Sequence, residues 1–352
     1  MPSIRVLVVE DSLTIRKHLV EVLGAAPDIE VVGEAEDGRR AVELCRTLRP
    51  DVMTLDMMLP IMTGLAVTEY VMAFCPTPIL IVSASTNRGE LFKTYDALAA
   101  GAVDVLDKPG ADSDDGVWNQ KLLSAVRIVS RIRVITHIRG RLDPTIAPLR
   151  PVEPAGRPAP PRTIAIGAST GGPAAVMQIL RTLPGTFPIP ILLTIHISAP
   201  FGAAFAEWLD GLSRLRVRYA MDREPMPGLG ERGVIMAPPN RHLVVDKGRL
   251  RLTDDPERHS CRPSIDTLFE SVAREVGSAS VGCLLTGMGR DGAAGLLAMR
   301  QVGALTIAQD EASSVIFGMP KEAIAIGAAA RVLALADVAP AFLALINEGA
   351  ER

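Results

Sequence analysis

The sequence predicts two α/β domains in tandem, each a doubly wound, mostly parallel β-sheet covered by helices. Three observations carry that prediction. Short apolar runs alternate with segments of helical periodicity in both halves of the chain, the pattern of βαβ units. Charged and hydroxyl residues fall where those apolar runs end, which is where ligands bind in open parallel sheets. A proline-rich stretch without apolar periodicity separates the halves, and 352 residues suit two domains better than one.

In the first half, Ile4 to Val9 is an apolar strand that ends on Glu10-Asp11-Ser12, with a helix over Leu13 to Leu23. Glu30 to Ala35 is the second strand, and a helix runs from Asp37-Gly38 to about Leu48. A third strand after Pro50 ends on Asp56, the fourth covers Pro78 to Ser83, and the fifth, Ala102 to Leu106, runs into Asp107-Lys108-Pro109. Glu10, Asp11, Asp56, Ser83 and Lys108 therefore gather at one rim. Clustered carboxylates repel unless a cation joins them, and Mg²⁺ suits them because it takes few protein oxygens and keeps sites for water and phosphate. An aspartate beside Mg²⁺ and a lysine can attack a phosphoryl group. Solvated strand-end charges are the plain alternative; five polar ends in matching positions argue against it.

Helical periodicity over Trp118 to Ile138 closes this domain, assigned to residues 1–139. Prolines from Pro144 to Pro161 mark residues 140–162 as a semi-extended linker, and 163–352 form the second domain.

In the second half, Thr163 leads an apolar strand into Gly167-Ala168-Ser169-Thr170-Gly171-Gly172-Pro173, and a helix follows to Leu183. Ser169 thus lies where a buried strand ends and a helix begins. The glycines allow a sharp turn and close approach, and Pro173 suits a first helical position. Such a turn fits a nucleophile and equally a bound phosphate. Ile189 to Ile197 is the next strand, carrying His196 at its end; one intervening helix makes the two strands neighbours in a βαβ unit. Phe201 to Leu212 is helical and Val217 to Ala220 a short strand. Gly233 to Leu252 reads as extended pieces turning at Asp246-Lys247-Gly248, an antiparallel hairpin. Ser264 to Val276 is helical. Ala279 to Leu285 is a strand that opens into a glycine-rich turn ahead of Asp291, a helix covers Ala293 to Val302, and Ala304 to Ala308 is the last strand.

Ser169, His196 and Asp291 at the ends of parallel strands point to acyl-group hydrolysis. Ser169 attacks a carbonyl, His196 takes its proton, and Asp291 orients the imidazole. The turn before Asp291 offers backbone N–H groups to an oxyanion, Met288 being the best placed. The order Ser, His, Asp differs from that of α/β-hydrolases, so that fold is not assigned despite the Gly-x-Ser-x-Gly pattern. A non-catalytic phosphate- or nucleotide-binding output module is the competing reading of the same turn.

Composition narrows the field. A net charge of −3 offers no basic footprint for nucleic acid, and a DNA-binding output lacks its recognition helix. No uninterrupted apolar stretch is long enough to span a bilayer. The start of the chain has no signal-peptide pattern, and the four cysteines have no ligand spacing, which suggests reduced thiols in a cytoplasmic protein. Cys45 and Cys283 sit in apolar patterns and are read as core; Cys261 has no assigned role.

Two resemblances follow from these motifs. The Glu10-Asp11 pair, Asp56 with Pro60 and Gly64 behind it, Ser83, and Lys108-Pro109 resemble a response-regulator receiver domain, of flavodoxin-like fold. The resemblance implies Asp56 as phosphoacceptor. It implies Mg²⁺ held by Glu10, Asp11, Asp56 and the Met58 carbonyl, with Ser83 and Lys108 on the phosphoryl oxygens. Receivers often carry an aromatic switch residue in the fifth strand, where this chain has Val103-Asp104-Val105. From residue 162 on, the stretches 167–173, 262–266, 285–293 and 308–320 and the His196 strand resemble the catalytic domain of the chemotaxis protein-glutamate methylesterases, the CheB family. That family often has Gln before the histidine, where this chain has Ile195. The resemblance implies a Ser169-His196-Asp291 triad without a cofactor. It implies methyl-ester hydrolysis, and glutamine deamidation, on the cytoplasmic domain of methyl-accepting chemoreceptors. A histidine kinase of the chemotaxis type would donate the phosphoryl group. Control is expected to be steric, the unphosphorylated receiver covering the Ser169 rim.

Overall fold

The structure is a computed structural model that describes residues 3–84, 88–109, 115–132 and 161–350. The chain divides into two compact units, residues 1–145 and 146–352. Most of the expected linker lies outside the described residues.

The N-terminal unit runs β1 (Ile4–Val9), α1 (Leu13–Gly24), β2 (Ile29–Ala35), α2 (Gly38–Leu48), β3 (Val52–Leu55), α3 (Gly64–Phe74), β4 (Ile79–Ser83), α4 (Arg88–Ala99), β5 (Asp104–Asp107) and α5 (Asp115–Val129). All strand pairs are parallel, in the order β2-β1-β3-β4-β5. This is the flavodoxin-like order, whose switch point lies between β1 and β3. The strands are apolar because both faces of the sheet are buried. Side chains alternate between them: Leu7, Val9 and Leu55 pack with Ala41, Val67 and Val71 of α2 and α3, while Val6 and Val8 pack with Leu19, Leu23 and Leu122 of α1 and α5. Local signals set the helix ends. Asp37 accepts from Arg40 N at the start of α2, and Arg49 stops that helix in the left-handed region at φ 47°. Trp118 Nε1 donates to Asp107 O at 2.7 Å and ties α5 to the end of β5. Of the helix expected over residues 118–138, positions beyond 132 lie outside the described residues.

The C-terminal unit runs β6 (Thr163–Ala168), α6 (Gly172–Thr182), β7 (Ile191–Ile195), α7 (Ala199–Gly202), α8 (Phe205–Leu212), β8 (Val217–Tyr219), β9 (Val234–Met236), β10 (His242–Asp246), β11 (Arg249–Thr253), α9 (Ile265–Val276), β12 (Ser280–Leu284), α10 (Ala293–Gln301), β13 (Leu305–Gln309), α11 (Met319–Ala325), β14 (Arg331–Leu333) and α12 (Leu335–Ala350). Its main sheet is parallel throughout, in the order β14-β13-β12-β6-β7-β9-β8. The chain builds outward from β6 to β7 and then returns to place β12 on the other side of β6. The switch point therefore lies between β6 and β12, and the crevice opens at their carboxyl ends. Helix α9 packs Ile265, Leu268, Phe269 and Val272 into the core with Leu284 and Leu296.

Three expectations need correction. The helix over 201–212 is broken at Ala203-Ala204. The Tyr219 hydroxyl donates to Gly202 O and takes a hydrogen bond from the Ala206 backbone, so it stands where the i→i+4 bond would close. The extended stretch 233–252 does not all form the hairpin. Val234–Met236 joins the main sheet between β7 and β8, and only β10 and β11 pair antiparallel. A turn at Pro238-Pro239-Asn240, with Asn240 at φ 60°, separates the two roles. Finally, Leu305–Gln309 is not the last strand: Arg331–Leu333 forms β14, three residues long and paired with β13 at the edge of the sheet.

Candidate functional site

Asp291, Ser169 and His196 follow three adjacent strands, β12, β6 and β7. Ala168 pairs with Ile195 in register, and His196 N donates to Ala168 O at 3.0 Å. Ser169 and His196 are thus the next residues of two neighbouring strands, whose axes lie about 4.8 Å apart in any sheet. On the other side of β6, Ser169 N donates to Thr286 O at 3.0 Å and Leu285 N to Gly167 O at 2.8 Å. The turn 286–292 is thereby fastened to the Ser169 turn.

That turn is packed too closely for a side chain at 287. A Cβ there would lie 2.6 Å from the Ser169 Cβ and 2.3 Å from the Met319 Cε, so glycine is required. Gly171, the residue before α6, sits at φ 76°, which favours glycine on conformational grounds. Thr286 links the surrounding loops. Its hydroxyl donates to Thr170 O at 3.0 Å and accepts from Ile316 N at 2.9 Å. Its backbone N–H donates to Gln309 Oε1 at 2.8 Å, and Gln309 Nε2 donates to Ser313 O at 2.7 Å. Met288 extends its side chain into solvent at the lip of this turn, 53% exposed. Its N–H donates to no described group, unlike that of Gly287, which is bonded to Ile316 O.

Asp291 is buried, and its carboxylate is fully engaged. Oδ2 lies 2.9 Å from His196 Nε2 and accepts from Ile265 N at 2.7 Å; Oδ1 accepts from Ser264 Oγ at 2.8 Å and Asp266 N at 3.1 Å. Burial alone would raise its pKa, but His196 and the backbone donors at the start of α9 hold it below the ordinary carboxylate value. Burial likewise opposes charge on His196, yet Asp291 and Cys261 together lift its pKa to about 9.

Nε2 of His196 is directed at Asp291, which favours the protonated ring. Its Nδ1 faces Cys261 Sγ at 3.7 Å, and no hydrogen bond joins it to Ser169 in this conformation. The structure thus brings His196 and Asp291 into contact and sets Ser169 beside them in register without closing the third link.

Sequence reasoning gave no role to Cys261, Ser264, Thr286 or Gln309. Ser264 carried a signal, since a serine ahead of an amphipathic helix is an N-cap; here it accepts from Thr267 N at 3.3 Å while donating to Asp291. Nothing in the spacing of Cys261 foretold its place beside His196, 65 positions away.

In the N-terminal unit the expected rim forms. Glu10, Asp11 and Asp56 offer oxygens within 4.8 Å of one another. Lys108 Nζ lies 2.9 Å from Asp56 Oδ2 and 2.9 Å from Glu10 Oε2. Burial pushes Glu10 up to about 7, against the pull of Lys108. Burial works against the Lys108 charge, but Asp56 and Glu10 raise its pKa overall. Ser83 is buried at the end of β4, and its carbonyl accepts from Lys108 N at 3.1 Å. Met58 lies two residues beyond Asp56, with its side chain turned to solvent. Three carboxylates with one ammonium leave an excess of negative charge, so the donor set fits a hard divalent cation such as Mg²⁺.

Comparison with known proteins agrees with both halves. Residues 6–115 match the response regulator receiver domain, and residues 164–342 match the CheB methylesterase. A protein-glutamate methylesterase/protein-glutamine glutaminase of Nitrosospira multiformis is 42% identical over 355 residues, covering 99% of this chain and 98% of that protein. A relative of the same name, numbered 2, from Anaeromyxobacter dehalogenans is 42% identical and covers 95% of each chain. The crystal structure of the Thermotoga maritima CheB methylesterase catalytic domain superposes with a TM-score of 0.50 at 33% identity, over 53% of this chain and 98% of that one. With matched domains in the same order and relatives aligned from end to end, the chain belongs to the CheB methylesterase family, in the form that carries a response regulator receiver domain ahead of the methylesterase domain.

Proposed function

We propose that this chain is a phosphorylation-activated, cytoplasmic hydrolase that removes methyl groups from glutamate methyl esters on the cytoplasmic domains of chemoreceptors. The observation that carries the reading is the convergence of Ser169, His196 and Asp291 on one rim at the β6–β12 switch point, with His196 Nε2 at 2.9 Å from Asp291. The names of full-length relatives support the substrate.

Because Nε2 is committed to Asp291, the nitrogen that serves Ser169 is Nδ1. Once deprotonated, Nδ1 accepts the Ser169 proton as Oγ attacks the ester carbonyl. It then passes that proton to the departing methoxide, giving methanol and an acyl-enzyme. Water attacks the acyl-enzyme with Nδ1 again as base, and glutamate is released. Catalytic hydrogen bonds are often open in free enzymes and close only in the complex with substrate, and Ser169 follows the strand next to that of His196. The N–H of Met288, in the turn fastened against Ser169, is the oxyanion donor. A glutamine substrate follows the same course with ammonia as leaving group, which is the deamidase activity.

In the receiver domain, Asp56 is the phosphoacceptor and a histidine kinase of the chemotaxis type the donor. Glu10, Asp11, Asp56 and the Met58 carbonyl would hold Mg²⁺, which when bound supplies positive charge to the transferring phosphoryl group. Lys108 and Ser83 would hold the phosphoryl oxygens, a role that the pairing of Lys108 with Asp56 supports.

The test is methanol release from a methylated receptor fragment. Ser169→Ala is expected to lower turnover by roughly 10³-fold or more while leaving receptor binding in place. A Ser169→Ala protein that still turns over would sink the reading in favour of a module that only binds.

A further inference from the structure

Cys261 is held in position by its own turn. Arg258 N donates to Cys261 O at 3.1 Å and Cys261 N to Arg258 O at 2.9 Å, which closes a tight loop with His259 and Ser260 at positive φ. The thiol is half-buried and lies 3.4 Å from His259 O and 3.7 Å from His196 Nδ1. Two donors bound to one tetrahedral Zn²⁺, with Zn–S about 2.3 Å and Zn–N about 2.05 Å, stand about 3.6 Å apart. The Nδ1–Sγ separation already matches that bite.

The other side of the ring has the arrangement usual behind a metal-bound histidine. Nε2–H points at a carboxylate that fixes the ring orientation and strengthens the opposite nitrogen as a donor. Asp291, saturated by the start of α9, is suited to that outer role. Arg258, on the same turn, is already paired with Glu270 at 2.6 Å.

We propose that His196 Nδ1 and Cys261 Sγ form a binding site for a thiophilic divalent cation, Zn²⁺ or Cd²⁺, that inhibits the hydrolase reversibly. Binding displaces the Nδ1 proton and the thiol proton into solvent, and water completes the coordination. Inhibition rests on the proposed triad, because the ion occupies the nitrogen that must receive the Ser169 proton. Binding itself does not rest on it. A thiolate–imidazole pair selects soft ions over Mg²⁺, so the receiver's cation does not compete for this site.

The experiment uses the full-length protein in a Cys75→Ser background. This removes the other close thiol pair, Cys45 and Cys75, whose sulfurs are 3.9 Å apart. Titration with CdCl₂ is followed by the ultraviolet thiolate-to-metal band, and ZnCl₂ by inhibition of methanol release. With MgCl₂ present to fill the receiver site, the expected result is one thiolate-bound Cd²⁺ per chain by the band and Zn²⁺ inhibition that a zinc-selective chelator reverses. Adding Cys261→Ser is expected to remove the band. It is also expected to raise the Zn²⁺ concentration for half inhibition at least tenfold, measured against that variant's own metal-free rate. His196→Gln, read by the band alone, is expected to weaken Cd²⁺ binding at least tenfold. A band or an inhibition unchanged by Cys261→Ser would overturn the site. Cd²⁺ bound at Cys261 without Zn²⁺ inhibition would overturn the inhibition. A protein that binds Cd²⁺ as described but shows no esterase activity before metal is added would instead count against the triad.

Discussion

His196 has two nitrogens in two different environments, and that asymmetry governs the chemistry proposed for this chain. Its pKa of about 9 means that the free base is a minority species at neutral pH. Methanol release should therefore rise with pH through the neutral range and level off near 9, since the base must be deprotonated in the free enzyme. A pH profile of kcat/KM that is already flat above pH 7 would contradict this. Glu10 gives a second pH signature. Its pKa is raised by burial from 4.5 to about 7, so between those values the folded state holds a proton that the unfolded state has lost. Without divalent cation, the stability of the receiver should fall as pH rises from about 4.5 to about 7, and added Mg²⁺ should reverse the fall. Denaturant titrations at pH 5 and pH 7 with and without Mg²⁺ check it. At this scale the sequence was informative where a residue closes a recognisable strand, as Asp56 and Ser169 do. It was silent on Cys261, whose meaning is a distance to a ring on another element.

Single elements transmit position to these residues. The start of α9 is the clearest case, because its N-cap serine and first backbone N–H groups are the same groups that hold Asp291. Ser264→Ala removes the cap of α9 and one of the hydrogen bonds to Asp291 together. It is expected to cost about 1–2 kcal/mol and lower the melting temperature by several degrees, with a matching fall in kcat. Thermal unfolding and methanol release on the same preparation test both parts. Most elements were legible because central parallel strands must be apolar on both faces and helices must bury a stripe. Helices α3, α4, α11 and α12 went unread, and two further features had their local signal overridden from elsewhere. Tyr219 enters the hydrogen-bond ladder between α7 and α8, and β14 is held by pairing with β13 rather than by its own apolar residues.

For the whole molecule, each unit has its own core and its own polar rim. Coupling between the two is what phosphorylation is proposed to change. A small-molecule phosphodonor with Mg²⁺ should accelerate methanol release by the full-length chain, and Asp56→Asn should abolish that acceleration without lowering the basal rate. Equal acceleration in wild type and Asp56→Asn would remove Asp56 from the pathway. By itself, the sequence determined the division into two α/β halves, the strands and their polar ends, and the family, because hydrophobic period and motif order are written locally along the chain. Tertiary structure alone decided that β12 lies beside β6, that Asp291 spends Nε2 of His196, and that Nδ1 faces a thiol. Those relations join residues far apart in the chain, and they exist only once packing has fixed which strand lies next to which and how each side chain is turned.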